Sequence, residues 1–121
     1  MALPNYHPLH EVTVHGASID CSTGKAAVIR APFRGQILKV GSMLGSVLST
    51  ADATVTTSIA GTAITTGVYT HTQSGSAIGD HATATPTAAN ICNEDDLIKF
   101  ALTGSGTAGG ILFCYCVIKK I

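Results

Sequence analysis

The stretch "ATVTTSIAGTAIT", Ala53 to Thr65, limits what this chain can fold into more than any other segment. Val55, Thr57 and Ile59 share one face of an extended chain and Thr54, Thr56 and Ser58 share the other, the alternation of a strand with one wet face. Ala60-Gly61 then falls where two strands would reverse in a tight hairpin, since Gly61 can take the positive φ such a turn demands. No window elsewhere carries a convincing helical period. Instead, short β-branched runs recur between Gly, Pro, Asn or Asp residues. They are "EVTVH" (Glu11 to His15), "AAVIRA" (Ala26 to Ala31), "GQILKVGSML" with Ile37 and Leu38 beside an expected turn at Gly41, "VYTHTQ", "DLIKFAL" and "ILFCYCVIKK". About eight strands are predicted, a number that suits an all-β antiparallel β-sandwich or jelly roll.

The chain of 121 residues and 12.3 kDa has room for one modest core, hence one domain. Residues 1–25 read as an extended N-terminal arm with the first strand, and 26–121 as the sandwich. Pro4 and Pro8, interleaved with Tyr6, His7 and Leu9, make a poor strand and a reasonable arm. Residues 74–93 are predicted to link two strands without structure of their own, although connections rarely exceed ~12–15 residues in that state. Pro86 and its Thr neighbours favour an extended path across a surface. An arm and a long small-residue loop are means of gripping a neighbour, so the candidate contacts are Tyr6, His7, Leu9, Ser76, Ile78, His81, Thr85 and Pro86.

Charged residues make up 12% of the chain, about half the ~25% usual in soluble domains. Seven basic and seven acidic side chains cancel, and no basic block stands out, which argues against a nucleic-acid partner. Ala, Gly, Ser and Thr dominate instead. Ser and Thr lose little rotamer entropy when covered, so this composition suits a permanent interface. The longest apolar run, Ile111 to Ile118, is far shorter than the ~20 residues of a membrane-crossing helix. "MALPNYHPLHEV" lacks the basic start and apolar core of a signal peptide, so synthesis in a reducing cytoplasm is expected. Cys21, Cys92, Cys114 and Cys116 then read as thiols rather than a disulfide framework.

Motifs that could carry chemistry are weak. "GSGTAG" (Gly104 to Gly109) matches G-x-G-x-x-G but is followed by a strand-like run, whereas a dinucleotide site needs a helix and a later acidic residue. Cys114 and Cys116 lie two apart and point to one side of a strand, which fits small buried hydrophobes better than half of a zinc site. His7, His10, His15, His71 and His81 include no His-x-His pair of the kind a cupin-like metal site would show. "NEDD" (Asn93 to Asp96) lacks the EF-hand pattern and immediately precedes a strand, as a solvated acidic turn does. No nucleophile elbow marks a Ser-His-Asp arrangement. The expectation is a non-enzyme with no catalytic, cofactor or metal residues.

Three blocks carry a resemblance: "APFRGQILKV" (Ala31 to Val40), "ADATVTTSIAGTAIT" (Ala51 to Thr65) and "QSGSAIGDHATATPTAANICNEDDLI" (Gln73 to Ile98). In order and content they resemble the decoration, or cement, proteins of tailed-bacteriophage heads, over roughly residues 30 to 118. The resemblance implies a β-rich, often trimeric protein made in a bacterial host. Its place would be the outer capsid surface of the virion, bound to the major capsid protein and resisting the outward push of packaged DNA. Its partners would be that capsid protein and other copies of itself, as a homotrimer or, alternatively, a dimer, with neither nucleic acid nor membrane involved. No catalytic residue comes with the family. A glycan-binding sandwich from a tail fibre or spike is the alternative, weakened by the absence of Trp and the scarcity of Tyr and Phe. A metal-dependent jelly-roll enzyme is the third class, disfavoured by the missing ligand spacing.

Overall fold

The computed structural model describes residues 11–20, 26–49, 51–103 and 110–121. Among them are nine strands and no helix: β1 Glu11–Asp20, β2 Ala26–Arg30, β3 Gly35–Leu44, β4 Ala53–Ile59, β5 Thr62–His71, β6 His81–Ala84, β7 Ile91–Cys92, β8 Leu97–Thr103 and β9 Ile111–Lys120. They form two antiparallel sheets packed as a sandwich. Sheet A runs β1-β9-β3-β6, with β7 also on β3, and sheet B runs β2-β8-β4-β5. β1 pairs with β9 from Glu11 to Asp20, so the first strand is part of sheet A.

The alternation read from β4 is the one observed. Ala53, Val55, Thr57 and Ile59 are buried, and Thr54, Thr56 and Ser58 are half-buried on the outer face. Ala60 and Gly61 take φ of 49° and 89°, the paired positive values of the two-residue turn that matches strand twist. Inward rows from both sheets make the core: Ile37, Val40 and Leu44 on β3, Ile98, Phe100 and Leu102 on β8, and Leu112, Cys114, Cys116 and Ile118 on β9. Cys114 and Cys116 do share one side of their strand, and it is the core side.

Two expectations need correction. Gly41 is not a turn; it lies within β3, opposite Tyr115 and Thr83. A side chain there would meet the Ala82 carbonyl at 2.8 Å and the Tyr115 hydroxyl at 3.1 Å, so close approach selects glycine, not chain reversal. Residues 74–93 are not a bare connection either. β6 pairs with Val40–Met43 and β7 with Gly35–Gln36, both along the same edge of β3. Between them, buried Asn90 completes the edge: Ile37 N donates to its carbonyl at 2.8 Å, and its Nδ2 donates to the Ile37 carbonyl at 2.7 Å. A backbone bridge from Thr65 to Ala88 ties the same segment to β5. The edge of β3 that would otherwise invite another strand is thus covered.

Candidate functional site

Tyr6, His7 and Leu9 lie outside the described residues, as do Cys21 and the "GSGTAG" segment. The other five candidate contacts separate by environment. Ser76 is committed to the fold: its hydroxyl accepts from Leu48 N at 3.1 Å and donates to Leu48 O at 3.2 Å. Pro86 is buried, which removes it as a surface contact. Its ring is apolar and it has no N–H to satisfy, so burial is inexpensive. Thr85 is exposed. Ile78 and His81 are the two that a partner could meet in force.

Ile78 is 72% exposed, the most exposed large apolar residue among those described. It is held there. The Asp80 carboxylate accepts from Ala77 N at 2.9 Å and Asp80 N donates to Ala77 O at 3.1 Å, closing a turn around Ile78. Gly79 N to Leu44 O at 2.7 Å and Leu44 N to Asp80 O at 2.8 Å then fix that turn to the end of β3. Gly79, with φ of 92°, supplies the left-handed residue the turn needs.

His81 opens β6 and hydrogen-bonds through Nε2 to the hydroxyl of Tyr115, two strands away. The rings are stacked, 5.6 Å between centroids, and His15 lies on the other side of Tyr115 at 6.1 Å. Gly41 makes this possible, because the phenol crosses β3 where no side chain stands in the way. The Met43–Phe113 pair is in the next register, with the Phe113 ring over Gly45. An imidazole and aromatic strip therefore crosses the outer face of sheet A. His15, Met43, Phe113 and Tyr115 were not among the sequence candidates. Alternation along "ILFCYCVIKK" was the available signal, since placing Cys114 and Cys116 inward puts Phe113 and Tyr115 outward.

The remaining titratable groups are inside. His71, at the end of β5, meets Ser42 of β3 across the sandwich, Nε2 to Oγ 2.7 Å. Tyr69 packs edge-on to the His71 ring at 6.0 Å. Burial pushes the His71 imidazole below its ordinary pKa, with Asp80 opposing and His81 adding to the shift. Burial likewise raises the Tyr69 phenol, beside Cys114 and Ser42. That hydroxyl lacks a partner in hydrogen-bonding geometry. Ser42 and His71 form a hydrogen-bonded pair, yet both are buried, so no substrate could reach the serine oxygen. The Cys116 thiol is pushed up to about 12 by burial, with Cys92 adding to it, and Cys92 is also raised by burial. Neither supplies thiolate at neutral pH. No three His, Cys, Asp or Glu side chains among the described residues gather as a metal site. Comparison with protein-family models, characterised proteins and solved structures found no match to this chain.

Proposed function

We propose that this protein is a decoration protein, binding the outside of a tailed-phage head as a symmetric homo-oligomer and stabilising the shell. One observation carries the reading beyond the block-wise resemblance: a large apolar side chain, Ile78, presented on a turn that three backbone hydrogen bonds and a carboxylate cap hold in place. A docking residue ordered before binding loses little entropy on contact. Each contact of this size is weak. Many copies on one lattice, each engaged through more than one subunit, make the sum strong.

The test is cosedimentation of the purified chain with empty capsids. Wild type is expected to pellet with the capsids, and Ile78→Asp to remain in the supernatant while unfolding at the wild-type midpoint. A chain that never pellets with any candidate capsid is not a cement protein. The Tyr115 ring, stacked on His81 and tilted against His15, favours a second reading, a glycan-binding module, since sugars pack on exposed rings. Binding on a glycan array, lost in Tyr115→Ala, would replace the first reading with this one.

A further inference from the structure

The two outer faces of the sandwich differ along their central strands. On sheet B these turn Thr54, Thr56 and Ser58 of β4 and Lys99 and Thr103 of β8 outward, while exposed apolar residues stand at Leu97 and on the edge strands, Val28 on β2 and Val68 on β5. On sheet A, the central strand β9 turns Ile111, Phe113, Tyr115 and Val117 outward, with Met43 beside Phe113. β9 also turns Leu112, Cys114, Cys116 and Ile118 into the core, so it is apolar on both sides. Strands of that composition are characteristic of sheets covered on both faces. In a single copy only one face is covered, and Phe113 remains 50% exposed.

We infer that the outer face of sheet A is covered by the same face of a second copy, in a two-fold dimer. The inference is independent of the capsid reading and selects the two-fold arrangement over a trimer. The face is large enough. β1, β3 and β9 are 10 residues each, hence about 33 Å long, and the four-residue β6 adds a shorter strip, all about 4.8 Å apart. Two such faces stacked would bury about 1,100 Å², just above the size a specific interface needs. The chemistry is distributed as interfaces distribute it. Glu11 and Lys119 stand at one end and Asp20 at the other, with Lys39 one row in beside Val117, while the middle rows hold Tyr115 between His15 and His81, and Phe113 beside Met43. Gly41 and Gly45 keep the floor of the patch low, so the rings lie flat and a second sheet can approach to ordinary sandwich spacing. An isologous contact of this kind closes on itself and leaves no open apolar face.

The experiment is sedimentation velocity of the full chain over a wide concentration range, with substitutions on each outer face. Phe113→Lys and the milder Phe113→Ser are compared with Val28→Lys and Val68→Lys, whose parent residues on sheet B are equally open at 48% and 52%. Wild type is expected to be a dimer. Both Phe113 variants should raise the dissociation constant by about a hundredfold or more, since the residue is central and occurs twice. The sheet B variants should leave the dimer unchanged. Phe113→Ser guards against a lysine variant that fails to fold. A wild type that is monomeric at every concentration, a trimer, or a dimer lost equally by the sheet B variants overturns the inference.

Discussion

Replacing Thr57 by valine keeps the volume of the side chain and removes one oxygen, which isolates a single buried hydrogen bond at the centre of sheet B. Thr57 is fully buried, and its hydroxyl donates to the Gly67 carbonyl at 2.6 Å. The bond closes an irregular stretch of the β4–β5 ladder. Thr56 pairs with Val68 and Ser58 with Ala63, so four residues of β5, Ile64 to Gly67, stand opposite Thr57. Within them Thr66 has φ of 62°, a conformation a β-branched residue adopts only where surrounding contacts hold it. Valine would leave a buried carbonyl without its donor, at a cost of about 1–3 kcal/mol. A methyl group also cannot sit as near an oxygen as a hydroxyl does, so the expected loss is about 2 kcal/mol. For a domain of this size that lowers the melting temperature by roughly 6–12 °C. Urea unfolding followed by circular dichroism should show a lower midpoint at unchanged slope. Thr56→Val, one residue away on the half-exposed face, should stay within about 0.5 kcal/mol of wild type. A second arm tests the geometry. A methyl on Gly67 would collide with the Thr57 hydroxyl and stand 2.9 Å from Ile64 Cβ. Gly67→Ala should therefore be less harmful in a Thr57→Ala background, with a coupling of about 1 kcal/mol. Thr57→Val unfolding at the wild-type midpoint, or strict additivity in the cycle, would refute the account.

Two further outcomes follow from the buried titratable groups. His71 has its pKa lowered by burial, so between that depressed value and the ordinary 6.5 the unfolded chain binds a proton that the folded one refuses. Stability should be highest above pH 6.5 and fall as the pH drops below it, by at most about 1.4 kcal/mol per pH unit from this one group. His71→Gln should flatten that acid slope whatever it does to the absolute midpoint, and a slope unchanged in the variant would reject the assignment. Cys92 and Cys116, buried with raised pKa values, should resist iodoacetamide in the folded protein at neutral pH and react fully in urea, as read by mass spectrometry. Rapid alkylation of either in the native state would contradict their placement.

Local rules were enough to read β4, its hairpin and the inward cysteines, because those features depend on neighbours in sequence. They failed where the deciding contact is remote. Gly41 looks like a turn until the Tyr115 hydroxyl is seen lying over it, from a strand more than seventy residues on. "HATA" is too small and too short to announce a strand; β6 exists because β3 leaves an edge for it. Asn90 looks like a loop residue, yet its amide stands in for a strand along Ile37. His71 in the middle of "YTHTQ" reads as a surface histidine, and only Ser42, on the opposite sheet, gives it a reason to be inside. Of the candidate contacts, Ile78 and His81 could be found from composition, but what makes them presentable could not. The turn that holds out Ile78 is anchored at Leu44, and the imidazole of His81 is anchored at Tyr115.

β9 shows how a signal can be legible and still be put to too little use. "ILFCYCVI" is too short to cross a membrane as a helix, and excluding that leaves the question of why it does not alternate. β4 in the same fold does alternate, with threonine and serine outward, so solvent exposure on this scaffold is compatible with hydroxyl-bearing strands. A central strand that keeps Phe113, Tyr115 and Val117 on its outward side has a different environment to satisfy. The two-fold dimer proposed above would supply that environment, covering with a second copy the side of β9 that sheet B does not reach.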